Sequence, residues 1–175
     1  MRPVLGVLLA CCLGAVPVGL LLPRPVSARW LQCRLFGRWD CRGVTVFALE
    51  MVLGVLAVWA AAKAGTPSTR GEVMLLAVTM GSLLPLRLGF QAEGGTGLFF
   101  GAIVAISGLA GAGTLLVCVC LLAFTRSAGI SAALAAACYP AGLWLLEHPG
   151  PMGLTCAGAA AGLVVWRHRK ALRPA

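Results

Sequence analysis

Charge is scarce in this chain, and acidic charge is scarcer still: five Asp and Glu stand against fourteen Lys and Arg, and charged residues make up 11% of the 175 positions. Soluble domains carry about a quarter charged residues, so composition excludes a water-soluble globular core. Histidine occurs only twice. Neither His lies in an apolar run beside a candidate nucleophile, which excludes a Ser-His-Asp arrangement. The eight cysteines show no zinc-ligand spacing. Cys11, Cys12, Cys118, Cys120, Cys138 and Cys156 fall inside apolar runs, where cysteine acts as a small hydrophobe. Cys33 and Cys41 share a loop expected to be cytoplasmic, where thiols stay reduced. No metal, nucleotide or other cofactor is expected.

What the chain has instead is apolar sequence, at 60% of residues. Predominantly apolar runs occur at about 4–22, 43–62, 73–86, 98–110, 114–124, 129–146 and 152–166. They predict a single transmembrane domain over 1–175, an all-α integral membrane protein built as a seven-span helical bundle. Three runs are short, and 98–124 could instead be one helix interrupted by Gly108, Gly111 and Gly113. Charge separates the two threadings. Seven spans place Arg24, Arg29, Arg34, Arg38, Arg42, Arg87, Arg126, Arg167, Arg169, Lys170 and Arg173 inside, and leave Arg2, Lys63 and Arg70 outside. Six spans move Arg126 and the tail charges across and contradict the positive-inside bias of short loops. The expected topology therefore has the N-terminus outside and the C-terminus cytoplasmic. Val26-Ser27-Ala28 resembles a signal cleavage site, but the apolar run before it is long and is interrupted by Pro23-Arg24-Pro25, so a first span is expected. The net charge of +9 sits in loops beside spans, where anionic membrane lipids are the nearer partner and nucleic acid is not expected.

The first loop, 23–42, carries a second pattern. Arg34, Arg38 and Arg42 recur every four residues, and Leu31, Leu35 and Trp39 do the same on another face. That pattern suits an amphipathic helix lying in the headgroup plane, with guanidinium groups also able to collect a phosphate. A second loop, from Arg87 through Gly94, Gly95, Thr96 and Gly97, opens directly into an apolar run. Its glycines allow close approach of backbone N–H groups to an anion, and a helix N-terminus adds partial positive charge. Glu50 lies about eight residues into the second run, where an ionised carboxylate needs a partner. It is a candidate for function or for a paired structural role. Alanine and glycine crowd the last two runs, at 132–137 and 157–162, and predict close helix packing. His168 sits in the basic tail Arg167-His168-Arg169-Lys170, placed to meet an anionic headgroup or substrate.

Several of these segments together resemble the bacterial acyl-phosphate:glycerol-3-phosphate acyltransferases. Leu9-Ala10-Cys11-Cys12-Leu13-Gly14-Ala15-Val16-Pro17-Val18-Gly19 is similar to that family's first span, L-x-x-Y-L-x-G-S-I-P-x-G. Gly81-Ser82-Leu83-Leu84-Pro85 with Phe90 is similar to G-H-x-x-P…F, Thr125-Arg126-Ser127-Ala128-Gly129-Ile130-Ser131 to T-R-Y-x-S-x-x-S, and Arg167-His168-Arg169 to the opening of R-H-R-x-N-I-x-R. The resemblance implies a seven-span enzyme of the bacterial inner membrane with its functional loops in the cytoplasm. It implies acyl phosphate and glycerol 3-phosphate as substrates and lysophosphatidic acid, a phospholipid precursor, as product. Arg87, Arg126, Arg167 and Arg169 would be phosphate ligands, with Gly94, Gly95, Thr96 and Gly97 as the backbone cradle.

Departures fall on the catalytic motifs. Nothing in 23–42 matches the family's S-G-N-x-G-x-x-N. The Lys of F-x-G-G-K-G is replaced by Thr96 or Gly94, depending on the alignment. Ser82 stands at the His of G-H-x-x-P, Ala171 stands at the tail Asn, and L-D-x-x-K-G becomes Leu49-Glu50-Met51-Val52-Leu53-Gly54. These losses keep open an inactive family member that binds lipid or a partner protein. A small transporter is a weaker alternative, because Glu50 is the one ionisable residue placed well inside a span.

Overall fold

The computed structural model describes residues 2–15, 41–64, 71–87 and 95–169. Every regular element among them is a helix: α1 (Arg2–Gly14), α2 (Cys41–Ala64), α3 (Gly71–Arg87), α4 (Thr96–Ile106), α5 (Gly108–Thr125), α6 (Ala128–Glu147) and α7 (Pro151–Arg167). The amphipathic pattern expected at 23–42 lies almost wholly outside the described residues, as does the end of the first apolar run. Val44–Lys63, Gly108–Thr125 and Ala128–Glu147 are long and apolar enough to cross a membrane; Val4–Gly14, Gly71–Ser82 and Thr96–Ile106 are shorter apolar helices. The outer faces are apolar as well, with Leu109, Leu116 and Phe124 exposed on α5 and Trp144 and Leu145 on α6. Only 17% of the α5 window is buried within the protein. A helix with no polar face and so little burial is suited to hydrocarbon, not to water.

One boundary differs from the sequence expectation. The break between the fourth and fifth elements falls at Ser107, not between 110 and 114. Ser107 leaves the helical region at φ −130° and ψ 86°, and its hydroxyl donates to the Ile103 carbonyl at 3.1 Å. The Tyr139 hydroxyl on α6 meets the same Ser107 oxygen at 3.0 Å, so a buried polar chain stabilises the break. Gly111, expected to interrupt the helix, stays inside α5, where a Cβ would lie 2.7 Å from the backbone of Ile103 and Val104. It permits α5 to fold back against α4.

Two helix pairs share one mode of close approach. A Cβ on Gly101 would lie 2.8 Å from the Met51 carbonyl carbon, and one on Gly54 would lie 3.1 Å from that of Leu98, which locks α2 against α4. The same reciprocal contact joins Gly81 to Cys11 at 3.0 Å and Gly14 to Val78 at 3.1 Å, between α3 and α1. Backbones this close exchange dispersion and weak Cα–H···O contacts, a packing mode that suits apolar surroundings. Gly97 meets Phe47 one turn before the Gly101–Met51 contact, so α2 and α4 run in the same direction. The interior around them is filled by Leu75, Leu98, Phe99, Phe100, Ile103, Tyr139 and Leu143, with Phe99 edge-on to both Phe100 and Tyr139 at 5.6 and 5.9 Å.

Candidate functional site

Helix direction collects the candidate residues at one end of the bundle. α4 starts there at Thr96, α5 returns to it at Thr125 and Arg126, and α7 ends there at Arg167. Contact between Thr96 and His168 closes the set, their Oγ1 and Nε2 atoms sharing a hydrogen bond at 3.0 Å. Arg87, the last residue of α3, follows Ser82, whose carbonyl accepts from Arg167 Nη1 at 3.4 Å. A small recess with a cavity volume of about 10 Å³, room for about one water molecule, opens at this end, lined by Thr79, Ser82, Gly95, Thr96, Leu163, Val164 and Arg167.

The head of α4 has an unusual occupant. Gly95, at φ 101°, turns the chain into the helix, and its N–H donates to Glu50 Oε1 at 2.6 Å. The Gly97 N–H donates to Glu50 Oε2 at 3.1 Å. Both carboxylate oxygens thus cap a helix N-terminus, where amides and dipole favour negative charge. Glu50 itself is buried, at 3% exposure. The first cradle amides expected to be open to a substrate phosphate are therefore engaged by a carboxylate of the chain itself. Two glycines make this possible: a side chain at 97 would overlap Glu50, with Cβ atoms 2.6 Å apart, and one at 95 would overlap the Arg167 guanidinium.

Arg167 and His168 supply the basic face. The Arg167 guanidinium is a permanent cation. Burial is the larger reason that the His168 pKa falls below its usual 6.5, with the Arg167 charge second. His168 is accordingly neutral near pH 7, one ring nitrogen donating and the other accepting. The site thus sets a fixed cation beside a hydrogen-bonded pair of neutral imidazole and hydroxyl.

Not every candidate joins it. Arg126 is exposed at φ 51°, in a turn knit by the Thr125 and Ser131 hydroxyls at 2.8 Å and by Ser131 donating to the Ser127 carbonyl at 2.7 Å. It shares the end of the bundle but does not line the recess. Arg169 is also exposed and lies over the Trp166 ring at 4.7 Å. Gly94 lies outside the described residues. Ser82 and Thr79 are wall residues whose role the sequence did not flag; the alignment of Ser82 with the family's His was the available signal. Among the described residues, no three His, Cys, Asp or Glu side chains form a metal cluster.

Comparison with known proteins places this geometry in context. A family model described as glycerol-3-phosphate acyltransferase matches residues 33–174. A glycerol-3-phosphate acyltransferase of Thioalkalivibrio sulfidiphilus is 28% identical over 180 aligned positions, which cover 91% of this chain and 88% of that protein. One from Burkholderia cenocepacia is 31% identical over 118 positions, covering 66% of this chain and 55% of the relative. One from Burkholderia orbicola strain MC0-3 is likewise 31% identical over 118 positions and is covered over 57% of its length. No solved structure matches the chain.

Proposed function

The chain belongs to the glycerol-3-phosphate acyltransferase family, and from that premise we propose that it transfers an acyl group from an acyl phosphate to glycerol 3-phosphate, forming lysophosphatidic acid. The seven described helices would then cross a bacterial inner membrane with the Arg167 end facing the cytoplasm. The sidedness of the Arg residues supports this orientation.

The chemistry asks for positioning and charge neutralisation. A glycerol hydroxyl oxygen bonds to the acyl carbonyl carbon, the carbon–oxygen bond to phosphate breaks, and the hydroxyl proton leaves on inorganic phosphate. The donor is already activated, so the protein has to hold two phosphates and present the hydroxyl at the carbonyl. The observation that carries the proposal is the cluster of Arg167, His168 and Thr96 at the mouth of the recess. Arg167 is suited to a phosphate oxygen pair, and the neutral His168 and Thr96 hydroxyl offer uncharged donors and acceptors for the polyol. With Glu50 holding two of the α4 amides, phosphate contact falls to these side chains and, in the proposal, to Arg87, Arg126 and Arg169 at the same end. Trp166 and Arg169 at the end of α7 suit an interface with anionic lipid headgroups.

A second reading has one observation in its favour. The α4 N-terminus already holds an anion, as expected of a family member that keeps the bundle and binds lipid or a partner without turnover. Purified protein in lipid, given labelled glycerol 3-phosphate and palmitoyl phosphate, separates the two. Lysophosphatidic acid from the parent, with a loss of about ten- to a hundredfold in Arg167→Ala for one charge-assisted contact, is the expected result. No product from the parent overturns the transferase in favour of the binding protein. Arg126→Ala run beside them tests the outward arginine separately, and unaltered turnover removes it from the site.

A further inference from the structure

Glu50 is the one buried carboxylate among the described residues, and the transfer chemistry above does not use it. We propose that Glu50 is a positioning residue that acts through the Gly95 and Gly97 amides to aim Thr96 at His168. The proposal rests on the transferase reading for its functional consequence, and on geometry alone for the pinning itself.

The carboxylate spans two N–H groups that are two residues apart, at 2.6 and 3.1 Å. Fixing both amides on the Glu50 side leaves the residue between them little rotational freedom. Thr96 is consequently turned toward the recess, where its hydroxyl meets His168. Three surroundings make the arrangement specific. Gly97 places its Cα directly over the Glu50 side chain. Gly95 adopts a φ of 101°, which the approach of its N–H to Glu50 requires and which other residues rarely adopt. The Arg167 guanidinium borders Gly95, and its positive charge acts on Glu50. Glu50 is anchored in turn because its neighbour Met51, and Phe47 and Gly54 one turn to either side, are in backbone contact with α4. The carboxylate thus has a fixed reach, and both its charge and its length matter. Glutamine presents an NH₂ to one of the two N–H donors and holds only one amide. Aspartate keeps the charge but is one methylene too short to reach both.

The test uses the full-length protein in lipid, as parent, Glu50→Gln, Glu50→Asp, Thr96→Ala and the Glu50→Gln/Thr96→Ala double variant. Amide hydrogen exchange of the segment 95–99 reads the pinning without needing turnover. Exchange at least about tenfold faster there in both Glu50 variants, with α5, α6 and α7 protected as in the parent, is expected for loss of local anchoring. Unchanged exchange at 95–99 in Glu50→Gln, or a loss of protection spread equally over all helices, overturns the proposal. Steady-state acylation reads the consequence. Glu50→Gln should lower kcat about tenfold, the effect of one lost charge-assisted contact, with KM for glycerol 3-phosphate little changed. The double variant should match Thr96→Ala alone, because a residue that acts through Thr96 adds nothing once the hydroxyl is gone. Effects that multiply in the double variant also overturn the proposal. A parent that turns nothing over sinks the transferase reading while the exchange result still decides the pinning.

Discussion

Gly95→Ala is the substitution that most directly tests the site geometry. At φ 101° a methyl group introduces backbone strain of about 1–3 kcal/mol. The added Cβ would also lie 2.5 Å from Arg167 Nη1 and 3.2 Å from its Cζ, with the Ser82 Cβ at 3.2 Å on the other side. The guanidinium is the far end of a flexible side chain, so it yields first and gives up its contact with the Ser82 carbonyl. A displaced guanidinium forfeits a charge-assisted phosphate contact of about 1.5–3 kcal/mol, or roughly ten- to a hundredfold in kcat/KM. Gly111→Ala is the matched control. Its Cβ meets the Ile103 and Val104 backbone, which cannot swing aside, so α4 and α5 must separate at the far end of α4, at an overpacking cost of about 1–3 kcal/mol, without touching Glu50 or Arg167. The assay is kcat/KM for glycerol 3-phosphate with palmitoyl phosphate, measured beside thermal unfolding of each variant in the same lipid. Gly95→Ala should lose much more activity than stability, and Gly111→Ala the reverse. A Gly95→Ala enzyme within about twofold of the parent would refute the placement of Arg167 at the phosphate, since one such contact is worth at least about tenfold.

His168 makes stability and activity depend on pH in a defined direction. Its folded pKa lies below 6.5, so its contribution is fully present above about pH 6.5 and is lost as pH falls through the lowered value. A pH series of unfolding and turnover should show an acid limb that flattens in His168→Gln; an unchanged limb assigns it to another group. Tyr139→Phe removes the partner of the Ser107 hydroxyl but leaves that hydroxyl bonded to the Ile103 carbonyl. It should lower stability by about 0.5–1.5 kcal/mol with kcat/KM unchanged. Loss of turnover at constant stability would show that the Ser107 break is coupled to the site.

Local pattern carried the helices well, because apolar runs in a membrane chain have little choice of structure. It misplaced the break inside 98–124 because glycine has two uses. Gly111 reads as a helix breaker from composition, whereas in the bundle it admits the Ile103 and Val104 backbone. Ser107 is unremarkable until Tyr139, 32 residues away, supplies its partner. The site divides in the same way. Glu50 is visible as an ionisable residue inside an apolar run, Thr96 as part of the glycine-rich loop and Arg167 as part of the basic tail. Their pairing is not, since Glu50 and Gly95 are 45 residues apart and Thr96 and His168 are 72 apart, and only the packing of α2, α4 and α7 brings them together. The likeness to the family's loop motifs drew attention to open backbone amides. The structure assigns two of those amides to Glu50, through a substitution of the family's Asp that lengthens the side chain by one methylene.

The shortness of α4 bears on biogenesis. Eleven residues rise only about 16 Å, half the roughly 30 Å of a bilayer's hydrocarbon. Such a segment has too little apolar length to settle in lipid by itself as it leaves the insertion machinery. Ser107 ties it to α5, which is long enough, and the glycine contacts with α2 supply the docking surface. In the proposed membrane bundle, α4 would enter as half of a hairpin with α5 and be held by its glycine contacts with α2. The candidate site would then be a late product of assembly, complete only once α7 has delivered Arg167 and His168.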